Sequence, residues 1–432
     1  MDEDPKVQVY AEAELKPQSR AVLGEVRDRV ALLLKSGIAM YEDGPVAFEQ
    51  DDFLGKHLQS LRISDIALCK NATSSAVPVW QADLQVRVYM LNDEGPEDEG
   101  DGEATSCQIW MLPAKSMAGL WESLVYDTEV KSYLLDYAES AMYFADRLVD
   151  VNIVSWNRVV LLHGPPGTGK TSLCKALAHK LSIRLSDRYR FGQLVEVNAH
   201  SLFSKWFSES GKLVNKLFDT IKDLLDDPDV FVCVLIDEVE SLTAARKSAL
   251  NGNEPSDAIR VVNALLTQID QLKERPNAMV MTTSNITEAI DLAFVDRADI
   301  KQYIGLPSTP ARYQILRSCV EELMRVGIVT PTQPLLPAKD LSTAHKDLSV
   351  FSESGETLSN DPSAQLFSVA GEADGLSGRA LRKLPFLAHA MFVQRKETTL
   401  SGFMDALSSA VRFEHKARKD QIDGGGSRSI DR

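Results

Sequence analysis

The sequence has no apolar run long enough to span a bilayer. Its strongest, residues 230–236, falls far short of the roughly 20 residues a crossing helix needs. Cysteine is scarce: five residues (Cys69, Cys107, Cys174, Cys233, Cys319), widely spaced and without a C-x-x-C pair. The odd number and wide spacing, together with the nucleotide loop described below, favour a reducing, intracellular compartment. Cys174 and Cys233 sit in apolar runs and read as small core residues. Positive charge is in deficit, 47 Lys and Arg against 62 Asp and Glu, for a net charge of −15. This argues against a general affinity for nucleic-acid backbones. No K/R-rich cluster and no internal repeat stand out, and the acidic start Met1-Asp2-Glu3-Asp4 has no apolar core of a secretory leader. No membrane association and no direct nucleic-acid partner are therefore expected. With 432 residues, two or three domains fit.

What is present centres on His163-Gly164-Pro165-Pro166-Gly167-Thr168-Gly169-Lys170-Thr171-Ser172. The apolar run 158–162 before it reads as a buried parallel strand. From Leu173 to Leu181 apolar residues recur at helical spacing. Strand, glycine loop and helix start together form the context in which a G-x-x-x-x-G-K-[ST] match predicts a P-loop. Gly164, Gly167 and Gly169 let the backbone wrap phosphate oxygens, with the N–H groups of the helix start facing the anion. Lys170 supplies charge to the β/γ-phosphates, and the Thr171 hydroxyl is placed to ligate Mg²⁺. Pro165, Pro166, Thr168 and Ser172 complete this nucleotide-binding stretch, for ATP or GTP.

The second decisive run is Val230-Phe231-Val232-Cys233-Val234-Leu235-Ile236-Asp237-Glu238, a near-continuous apolar strand ending in two carboxylates. Buried parallel strands present ligand-binding residues at their carboxyl ends. Asp237 is expected in the Mg²⁺ shell, and Glu238 is placed to polarise an attacking water. Residues 279–285 form a further strand ending in a polar triad, where the Asn285 amide orients the water or meets the γ-phosphate. Trp206 and Phe207 lie in a Ser/Lys/Glu/Gly-rich stretch before an amphipathic helix. They suggest a polypeptide-gripping surface, the alternative being aromatics folded back onto the domain.

The remaining organisation reads as a small N-terminal α/β domain (1–92) for binding or adaptor docking. It has a strand alternating at Val7, Val9 and Ala11, and a helix N-capped by Ser19 with Val22, Leu23, Val26, Val30 and Leu33 on one face. Residues 93–107 read as an acidic flexible linker. Residues 108–306 form a large α/β ATPase subdomain, and 307–418 a helical lid with an irregular insertion at 331–370. Residues 419–432 are expected to form a flexible tail. Trp121 and Tyr126 either cover the nucleotide base or pack a helix onto the core.

In order and separation, residues 164–171, Asp237-Glu238, Asn285, Arg297 and Gly378-Arg379 resemble Walker A, Walker B, sensor 1, the arginine finger and sensor 2 of AAA+ ATPases. Within that superfamily several strings are similar to the pachytene checkpoint protein 2 (thyroid hormone receptor interactor 13) family. They are Gly119-Leu120-Trp121, Ser204-Lys205-Trp206-Phe207-Ser208-Glu209, Asp237-Glu238-Val239-Glu240-Ser241-Leu242, Ala293-Phe294-Val295-Asp296-Arg297-Ala298-Asp299 and Gly378-Arg379-Ala380-Leu381-Arg382-Lys383. The likeness is dense over 108–300 and 375–410 and loose over the N-terminal domain and 331–370. It implies an AAA+ module, a parallel sheet flanked by helices plus a helical lid, behind a small α/β domain. It implies a homohexamer with nucleotide sites between subunits, using ATP and Mg²⁺ to convert HORMA-domain proteins from closed to open. The partners implied are HORMA proteins of the meiotic axis and spindle checkpoint and a HORMA-like adaptor, in nucleus and cytoplasm. Trp206 and Phe207 would lie on a first pore loop, residues 247–256 would form a second, Arg297 would reach a neighbour's γ-phosphate, and Arg379 would act as sensor 2. Where many AAA proteins carry a second arginine, three residues after the first, this chain has Ile300. An AAA+ ATPase acting on another cargo and a nucleotide-gated scaffold with little turnover are the alternatives. Glu238 and Arg297 speak against the scaffold, which needs neither.

Overall fold

The structure, a computed structural model, describes residues 6–37, 39–66, 76–99, 107–199, 210–241, 257–285, 292–338 and 361–425. They fall into two compact units. One comprises Met1–Leu124, Thr128–Gly164 and Lys170–Tyr303; the other comprises Val125–Asp127, Pro165–Gly169 and Ile304–Arg432. Among the described residues no helix is long and apolar enough to cross a membrane.

In the first unit the alternating N-terminal run forms β1 (Val7–Leu15). It lies inside a four-stranded sheet with β2 (Gly44–Pro45), β3 (Leu58–Ser64) and β4 (Ala82–Tyr89), ordered β2–β3–β1–β4. β3 runs antiparallel and β4 parallel to β1. Val7, Val9, Ala11, Ala13 and Leu15 are buried together with Val26, Val30 and Leu34 of α1 (Leu23–Gly37). Those three helix residues, spaced i, i+4, i+8, make the apolar stripe. The helix departs from expectation at its start. Ser19 does not cap it but meets His57 Nδ1 at 2.9 Å, and Val22 and Leu23 are exposed.

The larger sheet has seven strands. Its parallel part is β7 (Val159–His163), β8 (Phe191–Asn198), β9 (Val230–Asp237), β10 (Ala278–Ser284) and β11 (Ile300–Tyr303), in spatial order β11–β7–β10–β9–β8. Antiparallel β6 (Cys107–Leu112) and then β5 (Glu97–Glu99) extend the β8 edge. Part of the expected flexible linker is thus a sheet edge: β5 pairs with β6, and Gln108 Nε2 donates to Asp98 Oδ1 at 3.1 Å. The ladder holds this acidic strand while its charges protect the edge from further pairing. On one face, alternate residues such as Val195, Val232, Val234 and Ile236 pack with Val214, Phe218 and Ile221 of α5 (Ser210–Leu225) and Val262 and Leu265 of α6 (Asp257–Leu272). Helix α4 (Lys170–Arg184) packs against strands of the same sheet, and Cys174 and Cys233 are buried core residues, as expected.

Residues 176–184 of α4 are buried without a break, so this helix has no solvated face. Its last turns carry charge into that burial. Lys180 Nζ contacts Glu12 Oε1 at 2.6 Å and Asp65 Oδ2 at 2.9 Å, and Arg184 pairs with Asp65 as well. The Arg184 guanidinium also lies 3.3 Å from the centre of the Tyr10 ring. Glu12 on β1 is only 5% exposed because α4 covers it. Burial works against the ionised Asp65 carboxyl, but Lys180 and Arg184 outweigh it and hold the group well below the carboxylate range. Removing one partner from such a cluster strands a buried charge, a cost of about 3–5 kcal/mol.

In the second unit, α8 (Thr309–Arg325), α9 (Pro362–Glu372), α10 (Gly378–Ala388) and α11 (Leu400–Gly425) enclose their own core, with Leu316, Val320, Leu366, Leu381, Leu384, Phe403 and Leu407 fully buried. Two expectations change here. The insertion is regular by residue 362, where Asp361 caps α9 by accepting from Ser363 N–H at 3.0 Å; residues 339–360 lie outside the described residues. The tail is helical to Gly425, aided by an Arg418–Glu414 pair at 3.2 Å and by Arg418 donating to the Gly375 carbonyl at 3.1 Å.

His179 precedes the cluster on α4, and burial pushes its imidazole down to about 4. The unfolded chain takes up a proton below its ordinary value of 6.5, whereas the folded state resists it until about pH 4. This stability is therefore present at pH 7 and lost as pH falls, by about 2 kcal/mol at pH 5. Urea unfolding at the two pH values should show that loss, and it should shrink in His179→Gln.

Candidate active site

The parallel strand order reverses around β7, whose carboxyl end leads into Gly164. In α/β sheets that crevice is where ligands bind. Gly164 N–H donates to the carbonyl of Ser284, the last residue of β10, at 3.2 Å, so the start of the loop is tied to the neighbouring strand. Lys170 is buried, and its Nζ donates to the Gly164 carbonyl at 2.9 Å. One residue on, the Thr171 hydroxyl donates to the Asp237 carboxylate at 2.9 and 3.1 Å. Ser172 is half-buried on the same helix start. The Thr283 hydroxyl also donates to Asp237. β9 and β10 are in register here, with Ile236 opposite Thr282.

Glu238 follows with φ +60, in the left-handed region uncommon for a non-glycine residue. Such strain costs of order 1–3 kcal/mol and persists where the surroundings enforce it. Thr283 does so: its hydroxyl accepts from Glu238 N–H at 3.3 Å and its carbonyl from Val239 N–H at 3.0 Å. Asn285 is half-buried directly after β10.

Arg297 ends the short helix α7 (Leu292–Arg297), where Asp270 of α6 holds it in a bidentate pair, Nε to Oδ1 at 2.9 Å and Nη2 to Oδ2 at 2.8 Å. Partial burial opposes ionisation of Asp270, but hydrogen bonds from Arg297 and Lys273 keep its carboxyl below the ordinary value. Trp206, Phe207 and the expected second pore loop at 247–256 lie outside the described residues.

In the second unit, residues 165–169 are held as a tight turn. Thr168 Oγ1 donates to the Pro165 carbonyl at 3.0 Å, and Pro166 is exposed. Gly167 (φ +78) accepts from the backbone N–H of Arg379 at 3.0 Å; a Cβ there would lie 2.7 Å from Ser377 Oγ. Tyr126 donates its hydroxyl to the Gly169 carbonyl at 3.3 Å. Trp121 is the packing residue of that pair: 4% exposed, with its indole N–H donating to Asp65 at 3.1 Å.

These residues fit a nucleoside triphosphate with Mg²⁺. In the first unit Lys170 brings a buried ammonium suited to phosphate, and Thr171 with Asp237 supplies paired oxygen donors of the kind Mg²⁺ takes. Sequence reasoning missed Thr283, Asp270 and the Asp65 contact. Only Thr283, beside the expected Asn285, carried a signal.

Comparison with known proteins agrees. Residues 160–306 match the ATPase family associated with various cellular activities (AAA), residues 308–415 the TRIP13-like AAA+ ATPase lid C-terminal domain, and residues 4–94 the TRIP13 N-terminal domain. The pachytene checkpoint protein 2 homolog of Gallus gallus is 51% identical over 421 residues, covering 96% of this chain and 95% of the relative. This chain belongs to the pachytene checkpoint protein 2 (TRIP13) family of AAA+ ATPases. The Homo sapiens homolog is likewise 51% identical, over 95% of this chain and 94% of its own length. The solved structure of C. elegans PCH-2 superposes with a TM-score of 0.75 at 35% identity, covering 95% of this chain and all of that one. Family membership makes this protein an ATP-binding ATPase, with the mixed α/β module and helical lid expected from sequence.

Gly167→Ala should lower stability by about 1–2 kcal/mol, the cost of a left-handed turn for a residue with a Cβ, and should weaken nucleotide binding. Thermal unfolding with and without ATP reads both. An unchanged melting point and an unchanged ATP-induced shift would contradict the assigned turn.

Proposed function

We propose that this ATPase works as a homohexamer that converts HORMA-domain proteins from their closed to their open form, serving meiotic-axis and spindle-checkpoint HORMA proteins presented by a HORMA-like adaptor. The observation that carries this is a family likeness running through the N-terminal domain and the lid as well as the ATPase core. A chain that shared only the motor would leave the cargo open. The proposed place of action is nucleus and cytoplasm, with no direct contact to nucleic acid or membrane.

In this reading residues 164–172 bind ATP, with Lys170 on the β/γ-phosphates. Thr171 and Asp237 would hold Mg²⁺, which would supply charge neutralisation to the phosphates. Glu238 takes a proton from the attacking water, and the backbone strain at this residue aims its carboxylate. Asn285 orients that water as sensor 1. Arg297, released from Asp270, meets charge developing on a neighbour's γ-phosphate, a contribution worth about 10³–10⁵ in rate for arginine fingers. Arg379, tied by its backbone to Gly167, acts as sensor 2. Trp206 and Phe207 grip the polypeptide.

The test mixes purified protein, a closed HORMA protein, its adaptor and ATP, and follows conversion to the open form. Wild type should convert. Glu238→Gln should bind ATP but lose about 10²–10⁴ in turnover and fail to convert. Brisk ATPase without conversion would retain the motor and remove the HORMA cargo. Turnover by Glu238→Gln at the wild-type rate would remove Glu238 as the base.

A further inference from the structure

Asp65 belongs to the N-terminal domain, outside the ATPase fold, yet three groups of the ATPase core converge on it. Lys180 Nζ lies 2.9 Å from Oδ2, Arg184 pairs with the same oxygen, and the Trp121 indole N–H donates to Oδ1 at 3.1 Å. Glu12 on β1 completes the arrangement, 2.6 Å from Lys180. Asp65 itself sits at φ +67, a left-handed conformation that Asp tolerates better than most residues but still at some cost. The backbone is held off its usual region at the residue whose carboxylate must reach this point.

Lys180 and Arg184 stand one turn apart near the end of α4, the helix that starts with Lys170 and Thr171. At 1.5 Å per residue they lie about 14 and 20 Å from the phosphate-binding end of the same rod. That rod has no solvated face along residues 176–184, so it cannot shift without shifting what it touches. An apolar interface tolerates a small slide. A buried cluster in which Lys180 and Arg184 meet Glu12 and Asp65 closely, with Glu122 and Glu139 within 4.0 Å, resists it, since an offset weakens pairs that water does not replace. Trp121, the third group on Asp65, lies five residues before Tyr126, whose hydroxyl meets the P-loop carbonyl of Gly169 at 3.3 Å.

We propose that Asp65, supported by Glu12, is a positioning residue for the phosphate loop: the N-terminal domain holds the Walker helix through Lys180 and Arg184, so that nucleotide binding and the state of the N-terminal domain are coupled. This rests on the reading of residues 164–172 as the ATP site. Linkage makes the coupling reciprocal: nucleotide tightens the N-terminal domain, and loosening that domain weakens nucleotide. The N-terminal domain is then a part of the motor's mechanics rather than an appended arm.

The experiment uses the full-length protein and a fluorescent ATP analogue, with hydrogen exchange read over β1 and β3. In wild type, saturating nucleotide should slow exchange of those amides by about fivefold or more, the lower end of typical coupling. In Asp65→Asn the slowing should vanish, and the KM for ATP should rise by a comparable factor while turnover at saturation changes less. Asp65→Glu should restore part of both. A merely structural role would lower the melting point yet leave the nucleotide response in place. If Asp65→Asn does not fold, Glu12→Gln takes its place with the same expectations. A folded variant that keeps the full response overturns the proposal, as does a wild type that binds the analogue without any change at β1 and β3. A wild type that fails to bind the analogue at all removes the nucleotide site, and this inference with it.

Discussion

A single fifteen-residue helix, buried along most of its length, carries the chemistry of this protein at one end and its N-terminal domain at the other. At the N-terminal end Thr171 meets Asp237, joining the P-loop to the central strand of the sheet. At the C-terminal end Lys180 and Arg184 meet Glu12 and Asp65. Helix-dipole chemistry favours phosphate at the first end. Ion pairing with no access to water fixes the second. Within the first unit, the large sheet and the N-terminal sheet both have to accommodate a rod that is constrained twice.

The meeting of the P-loop threonine with the carboxylate ending β9 was legible because its signal is local. A phosphate loop needs glycines, a lysine and a hydroxyl in fixed order, and a Mg²⁺-binding strand needs a buried apolar run ending in a carboxylate. Both patterns survive in a few adjacent residues. The coupling half was not legible for the opposite reason. Lys180 and Arg184 look like ordinary solvated helix residues, and their carboxylates lie far upstream, Glu12 on β1 and Asp65 just after β3. Glu12 alternates with Val9 and Ala11 along β1 as a polar residue, yet α4 covers that face. The acidic linker failed similarly: composition favours disorder, but Glu97–Glu99 finds a ladder partner in Cys107–Leu112. In the lid, the last helix runs on to Gly425, with Arg418 reaching Glu414 and Gly375, contacts that no local pattern announces.

In the proposed mechanism two features prepare the site for turnover. Glu238 is held in a strained left-handed conformation by both the hydroxyl and the carbonyl of Thr283, residues that no local pattern links. Arg297 is oriented in advance, because Asp270 holds its guanidinium in a bidentate pair. An arginine already ordered loses less freedom when it engages phosphate than one free in solvent. The same pair makes engagement an exchange of one anion for another.

That exchange is meaningful only if a second copy presents the phosphate, so a site shared between neighbours is the central claim. Mixing two inactive variants, Glu238→Gln and Arg297→Ala, tests it directly. Random neighbours should restore up to about a quarter of the wild-type ATPase rate, the fraction that pairs an intact Glu238 with an intact Arg297 across a subunit boundary. A mixture as inactive as its components, from chains that do assemble together, would show that Arg297 serves its own subunit and would contradict the account.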